Sequence, residues 1–141
     1  MFVLDTDAIT HDQNAHHILS AKVSNTPRTQ LFVTSVTVAE QLRGRLAYIN
    51  RYRKNSRQSA QGHAGLAQTV SYFNRWNILL LDEEAHSVFR QLQKQRLRIG
   101  TQDLRIAAIT LLRGFTVVTS NVRDFAQVPN LKVEDWTTAF T

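Results

Sequence analysis

The sequence predicts an α/β protein, a three-layer α/β/α sandwich around a mainly parallel sheet of about five strands. Four short apolar runs rich in Val, Leu, Ile and Phe are spread along the chain with helical patterns between them, and a fifth short strand is predicted near the end. Strands that alternate with helices are typical of βαβ units, whose helices cover both faces of a parallel sheet. The chain has 141 residues and no linker that would divide it, so we predict one domain over residues 1–141.

The first half of the chain is predicted to contain two strands and two helices. The apolar runs "FVL" (2–4) and "LFVTS" (31–35) indicate buried strands. Between them, residues 14–23 have a helical pattern, with Asn14 as the candidate N-cap. Residues 37–49 carry apolar side chains at steps of three and four, which predicts a helix directly after the second strand.

The second half continues the alternation of helices and strands. Acidic residues at positions 82–84 suit the positive end of a helix dipole, Thr101 is a candidate N-cap, and Gly114 is a candidate helix stop. The predicted elements are, in order, a turn over 55–65, a helix over 66–76, a strand over 77–81, helices over 82–97 and 101–115, and strands over 116–120 and 131–136.

The composition narrows the class of partner. The chain has no cysteine, and no apolar stretch approaches the ~20 residues that a membrane-spanning helix needs, so we expect a soluble cytoplasmic protein. Seventeen Lys and Arg against eleven Asp and Glu give a net charge of +6, and thirteen of the seventeen are Arg. Because the planar guanidinium group suits phosphate, nucleic acid is the expected partner.

Several carboxylates follow the predicted strands, where parallel strands of an α/β sheet present their ligand site. Acids that converge there repel one another unless their pKa values rise or a cation neutralises them. All-oxygen sites suit Mg²⁺ or Mn²⁺, and such an ion in a basic protein is the physical outline of a nuclease. The candidates are, in chain order, Asp5, Asp7, Glu40, Asp103, Asn121 and Asp124.

Helix capping is the alternative interpretation for some of these acids. Asp103 and Glu40 fall near predicted helix starts, and Thr37 with Glu40 has the spacing of a capping box. The acids at 82–84 we interpret as caps only. Asp5 is different, because it ends a predicted buried strand and no helix start is evident after it. Asp5 is therefore the strongest candidate for a metal ligand.

Four motifs in order identify a resemblance that covers nearly the whole chain. They are "FVLDTD" (2–7), "SVTVAEQLRG" (35–44), "IGTQDLRIAAIT" (99–110) and "VVTSNVRDF" (117–125). Together they resemble a PIN-domain ribonuclease of the VapC toxin type. The resemblance implies a PIN-like nuclease domain that cleaves RNA with Mg²⁺, with Mn²⁺ as a possible substitute. It also implies neutralisation by a cognate antitoxin and a homodimer within the toxin–antitoxin complex.

The resemblance also implies roles for individual residues. Asp5, Glu40 and Asp103 match the three acids that hold the metal in this family. Asn121 stands where a fourth acid is expected, so either Asn121 or Asp124, three residues on, completes the site. Asp7 is expected to support the metal ligands without binding the metal itself. Thr119 could contact a phosphate or the metal-bound water, and it could equally be an ordinary residue at the end of a strand.

A basic run over 43–57 holds six Lys and Arg with two Tyr interleaved. It suits an RNA-backbone groove, with Arg43 and Arg45 as the best candidates for substrate contact because they lie nearest Glu40. A solvated helix face and an antitoxin-facing surface are equally compatible with this pattern.

Two other functions are open from the residues alone. The strand followed by Asp-x-Asp also opens haloacid-dehalogenase-type phosphatases, in which Asp5 would be a covalent nucleophile. No later Lys with paired acids supports that assignment, and Glu40 would have no role in it. A non-catalytic RNA-binding module would fit the charge, but it gains nothing from acids that repel phosphate.

Overall fold

Residues 1–139 are described by a computed structural model, whose central feature is one five-stranded sheet in the order β3-β2-β1-β4-β5. Every neighbouring pair of strands is parallel, which confirms the predicted fold class. Positions 140 and 141 of the predicted domain lie outside the described residues. The strands are β1 (Phe2–Leu4), β2 (Leu31–Thr34), β3 (Asn77–Leu79), β4 (Thr116–Val118) and β5 (Lys132–Glu134), each within a predicted strand.

Helices cover both faces of the sheet, because successive residues of a strand point to opposite sides. Val3 and Val117 face one buried cluster with Phe89, whereas Leu4 and Val118 face the other. Among the described residues, no helix is both long and apolar enough to span a membrane. The helices are α1 (Thr6–Gln13), α2 (His17–Asn25), α3 (Ser35–Arg51), α4 (Ser56–Phe73), α5 (Glu83–Gln93), α6 (Thr101–Arg113) and α7 (Val122–Phe125).

The first helix, α1, was not predicted from the sequence. It starts directly after β1, and the Asp5 side chain caps it by accepting a hydrogen bond from the backbone N–H of Ala8 (2.8 Å). The expectation that no helix follows Asp5 is therefore wrong. Asn14 is the C-cap of α1 rather than the N-cap of the next helix, which His16 caps. The hydrophobic pattern that predicts a helix is weak over α1, because this helix buries only Ala8 and Ile9.

The helix after β2 begins earlier than predicted. Thr34 is its N-cap, and the backbone N–H of Thr37 donates to the Thr34 hydroxyl (3.4 Å). The predicted capping box of Thr37 and Glu40 is therefore wrong, and Glu40 lies in the second turn of α3. This shift releases the Glu40 carboxylate from a capping role.

The predicted turn over 55–65 is also wrong, because α4 begins at Ser56. Gly62 and Gly65 weaken the helical pattern in the sequence, but they allow α4 to pack closely on α3. A Cβ atom on Gly62 would lie 2.9 Å from the Tyr48 side chain, and one on Gly65 would lie 3.1 Å from Arg45 Nη1. Small residues at these positions therefore serve helix packing.

Two glycines bracket α6. Gly100, rather than Thr101, occupies the N-cap position and makes no side-chain cap bond. Gly114 ends the helix in the left-handed conformation (φ 69°), as the sequence predicted.

The strand order places β1 and β4 at the switch point of the sheet, since β2 and β3 lie on one side of β1 and β4 and β5 on the other. Asp5 follows β1 and Thr119 follows β4, and the backbone N–H of Asp5 donates to the Val118 carbonyl (3.0 Å). Open α/β sheets bind their ligands at such a point, beyond the carboxyl ends of the strands.

Candidate active site

Asp5 is a buried carboxylate at the switch point, with 1% of its surface exposed. Its Oδ1 accepts from the backbone N–H of Ala8, and its Oδ2 accepts from the Thr119 hydroxyl (2.5 Å). Burial raises the pKa of the Asp5 carboxyl to about 7, although both hydrogen bonds lower it. The negative charges of Asp7 and Asp103 raise it further. Asp5 is thus held rigidly in a place where its charge is unfavourable.

Asp103 lies in the first turn of α6 and belongs to the same acidic cluster. Burial raises its pKa to about 6, and the charges of Asp7, Glu40 and Asp124 raise it as well. The N-terminus of α6 therefore faces the carboxyl edge of the sheet. We call the five acids Asp5, Asp7, Glu40, Asp103 and Asp124 the acidic cluster.

Glu40 is oriented by a residue that the sequence analysis did not select. The Thr6 hydroxyl donates to Glu40 Oε1 (3.2 Å) and is also hydrogen-bonded to the hydroxyl of Thr37 (2.9 Å). Thr6 therefore connects the start of α1 to α3 beside the cluster. The feature of the sequence that could have indicated a role for Thr6 is its place between two acids in "DTD".

A chain of hydrogen bonds orders the other side of the cluster. The backbone N–H of Asn121 donates to the Thr119 hydroxyl (2.8 Å), which itself donates to Asp5. The Asn121 side-chain amide donates to Asp124 Oδ2 (2.9 Å). Thr119 thus holds Asp5, and Asn121 holds Asp124, whose charge acts on Asp103.

Asp7, in the first turn of α1, is the exposed member of the cluster. Its charge raises the pKa of both Asp5 and Asp103.

The cluster fits a hard divalent cation by its chemistry. All of its donors are oxygens, and the mutual repulsion that raises two pKa values would be offset by a dication. Within residues 1–139, no three His, Asp or Glu side chains are grouped closely enough to hold a metal ion by themselves. Mg²⁺ suits an open arrangement, since it retains several waters and takes one or two carboxylates.

The two arginines predicted to contact RNA lie on α3 outside the cluster. Arg43 is exposed. Arg45 is also exposed, but its Nε–H donates to the Thr69 hydroxyl on α4 (3.0 Å), and its guanidinium group lies over Gly65. Arg45 therefore helps to join α3 to α4, and an RNA contact by either residue stays a prediction.

The all-parallel α/β sandwich with an acidic cluster at its switch point agrees with the resemblance to PIN-domain ribonucleases. The chain is 28% identical to the tRNA(fMet)-specific endonuclease VapC of Salmonella typhimurium, with 96% of this chain and 97% of the relative covered. It is 29% identical to the ribonuclease VapC1 of Haemophilus influenzae strain R2866, with 97% and 98% covered. No protein-family model matches the chain.

Solved structures of VapBC complexes contain chains that are similar to this one in fold. The structure of VapBC-1 from nontypeable Haemophilus influenzae contains a chain with a TM-score of 0.75 and 25% identity, covering 97% of this chain and 98% of that one. The DNA-bound VapBC structure from Salmonella typhimurium contains a chain with a TM-score of 0.76 and 25% identity, covering 96% and 97%. These full-length matches confirm the resemblance to VapC-type toxins of the PIN-domain class.

Proposed function

We propose that this protein is a Mg²⁺-dependent endoribonuclease that acts as a toxin, with Mn²⁺ as a possible substitute. The observation that carries the proposal is the acidic cluster, in which carboxylates from separate elements gather where an α/β sheet binds its ligand. A binding module would have no use for such a cluster, because its charge repels the phosphate backbone.

In this proposal Asp5, Glu40 and Asp103 hold the cation, directly or through water. When bound, the cation supplies neutralising charge, activates a water molecule and stabilises charge on a phosphodiester oxygen. The neighbouring hydrogen bonds keep the ligands in place: Thr119 fixes the rotamer of Asp5, and Thr6 fixes Glu40.

Asp124 completes the site, and the Asn121 amide orients it. A single carboxylate held by an amide replaces the fourth acid that the resemblance predicts at position 121. Asp7, being exposed, borders the entrance and adds negative charge that draws a cation into the cluster. Outside the cluster, Arg43 and Arg45 are proposed to contact the RNA backbone.

The relatives support an RNA substrate and a protein partner. The Salmonella relative is a tRNA(fMet)-specific endonuclease, and the structural neighbours are VapBC complexes, one of them bound to DNA. By this likeness we infer that the chain cleaves RNA, that a cognate antitoxin neutralises it in the cytoplasm, and that it forms a homodimer within that complex.

The test is cleavage of total tRNA by the purified chain, with Mg²⁺ or with EDTA. We expect cleavage with Mg²⁺ and none with EDTA. Asp5→Asn should reduce the rate by more than about 100-fold, because several kcal/mol of stabilisation of the transition state depend on the cation. Asn suits this test better than Ala, since Asn retains the N-cap of α1.

Asp82→Asn is the matched control. Asp82 also caps a helix after a strand, but it is exposed and is not a member of the acidic cluster. Its replacement should leave the rate unchanged. Cleavage that persists in EDTA, or in Asp5→Asn at the rate of the unmodified chain, would contradict the proposed function.

A further inference from the structure

A groove with a volume of about 980 Å³ lies between α1, α3 and α4, outside the acidic cluster. This volume is at the upper end of the range of ligand pockets, ~300–1,000 Å³. Its walls include Thr10 and Gln13 of α1, Gly44 and Tyr48 of α3, and Tyr72 and Arg75 of α4.

The groove continues from the cluster along two helices. Thr6 on α1 contacts Glu40 on α3 beside the cluster. One helical turn further, the corresponding residues are Thr10 on α1 and Gly44 on α3, and both line the groove. A polymer whose reacting bond lies at the cluster would therefore meet this groove next.

The charge of the groove suits an anion. Its lining contains two cationic side chains, Arg45 and Arg75, and no carboxylate within the part of the chain that the structure describes. Arg45 keeps its terminal guanidinium nitrogens for a ligand, because its hydrogen bond to Thr69 uses Nε. The groove thus has the opposite charge from the cluster beside it.

Two tyrosine rings in the lining are already positioned. The Tyr72 hydroxyl donates to Asp12 Oδ2 (2.7 Å), and the Arg75 guanidinium lies 5.8 Å from the centroid of the Tyr72 ring. The Tyr48 ring packs on the Tyr52 ring, with the two ring centroids 4.7 Å apart. Aromatic faces beside guanidinium groups are what single-stranded nucleic acids bind, by base stacking and phosphate contacts.

We propose that this groove binds the nucleotides on one side of the scissile phosphodiester of single-stranded RNA. Bases stack on Tyr48 and Tyr72, and Arg45 and Arg75 contact the phosphates. The inference rests on the proposed function, since the groove is assigned as the continuation of the cleavage site. The two guanidinium groups and the two tyrosine rings of the lining favour RNA over a protein segment as the occupant.

Gly44 allows a steric test, because a Cβ atom at this position would have no neighbour within 4 Å. Gly44→Leu therefore places a side chain in the groove without a clash at its Cβ. Ala47→Leu is the matched control: it adds a leucine to an exposed position of the same helix that does not line the groove. Circular dichroism melts establish that both variants fold.

The readout is binding of a fluorescein-labelled, mixed-sequence 12-nucleotide single-stranded RNA, followed by anisotropy in EDTA so that no cleavage occurs. Gly44→Leu should weaken binding by about tenfold or more, as expected when base stacking is blocked, and Ala47→Leu should bind as the unmodified chain does. Arg75→Gln should weaken binding and reduce the slope of log affinity against log salt by about 1.

The proposal is overturned if Gly44→Leu binds this RNA as tightly as Ala47→Leu, or if the unmodified chain shows no binding. It is also overturned if Gly44→Leu impairs binding of the cognate antitoxin while RNA binding is unchanged, since the occupant would then be a protein. These outcomes are distinct from failure of the proposed function, which is judged by cleavage of tRNA with Mg²⁺.

Discussion

Residues 2–7 and 79–84 have similar sequences, "FVLDTD" and "LLLDEE", and nearly the same local structure. In both, an Asp follows a strand and caps the next helix. The backbone N–H of Ala8 donates to Asp5 Oδ1 (2.8 Å), and that of Ala85 donates to Asp82 Oδ1 (2.9 Å). Locally the two caps are equivalent.

Their positions in the sheet differ. Asp5 follows the central strand β1 and is 1% exposed, with its pKa raised to about 7 by burial. Asp82 follows the edge strand β3 and is exposed, two residues after Leu80, which is 61% exposed. A helix cap thus becomes a candidate catalytic group when tertiary structure buries it among other acids.

Asp5 and Asp82 should differ most in how their contribution to the free energy of unfolding depends on pH. The folded pKa of Asp5, about 7, lies above the ordinary value of 3.8, so the folded state binds the proton more tightly. That stabilisation is complete below about pH 4 and is lost as pH rises through about 7; Asp103 acts in the same direction up to about pH 6. In EDTA, the free energy of unfolding should fall between pH 4 and pH 8, through Asp5 by roughly 4 kcal/mol at most.

Urea denaturation of the metal-free chain at several pH values measures this fall. Asp5→Asn should flatten the profile and make the protein more stable than the unmodified chain at pH 8. Asp82→Asn should retain the slope. Equal slopes for the unmodified chain and Asp5→Asn would contradict the assignment of the buried charge to Asp5.

A divalent cation should reverse the destabilisation at pH 8. If Mg²⁺ binds the cluster, a concentration 100-fold above its Kd stabilises the folded state by about 2.7 kcal/mol. The measurement is Tm with and without Mg²⁺ at constant ionic strength, with Asp82→Asn as the control that keeps the response. A Tm that rises equally in Asp5→Asn would mean that the ion binds elsewhere.

The smallest expected effect isolates the part that the two caps share. Asn retains the side-chain cap and Ala removes it, so the difference in stability between the Asn and Ala variants measures the cap, together with the contact to the Thr119 hydroxyl at position 5. We expect about 1 kcal/mol at position 5 and a similar value at position 82. Values that differ severalfold between the two positions would show that the caps are not locally equivalent.

Strands β1 to β4 could be predicted from the sequence because each lies in a short apolar run that follows a polar segment or a glycine or begins the chain, whereas β5, with the sequence KVE, has a weaker pattern. The start of α1 could not, since "TDAITHDQ" buries only Ala8 and Ile9. Asp5 was therefore selected for a reason that the structure overturns, namely that it capped no helix. Its assignment now depends on burial and on neighbouring charge, which local sequence does not reveal.

The other residues of the site were also predicted only in part from the sequence. Glu40 was recognisable as an acid after a strand, but its cap assignment was wrong because α3 begins at Ser35. Thr6, which orients Glu40, was missed, and so were the walls that α1 and α4 give to the groove, of which the basic run over 43–57 indicated only the α3 side. Both depend on how α1 packs against α3, and pairs of residues 31 and 34 positions apart carry no local pattern.

The alternation of strands and helices, the positive charge and the carboxylates at strand ends follow from residue type and short-range periodicity. Which of two similar Asp caps is buried, which acids share its electrostatic field and where a cationic groove adjoins them follow only from the folded arrangement. Desolvation and charge repulsion depend on distances in space, and the strand order of the sheet sets those distances.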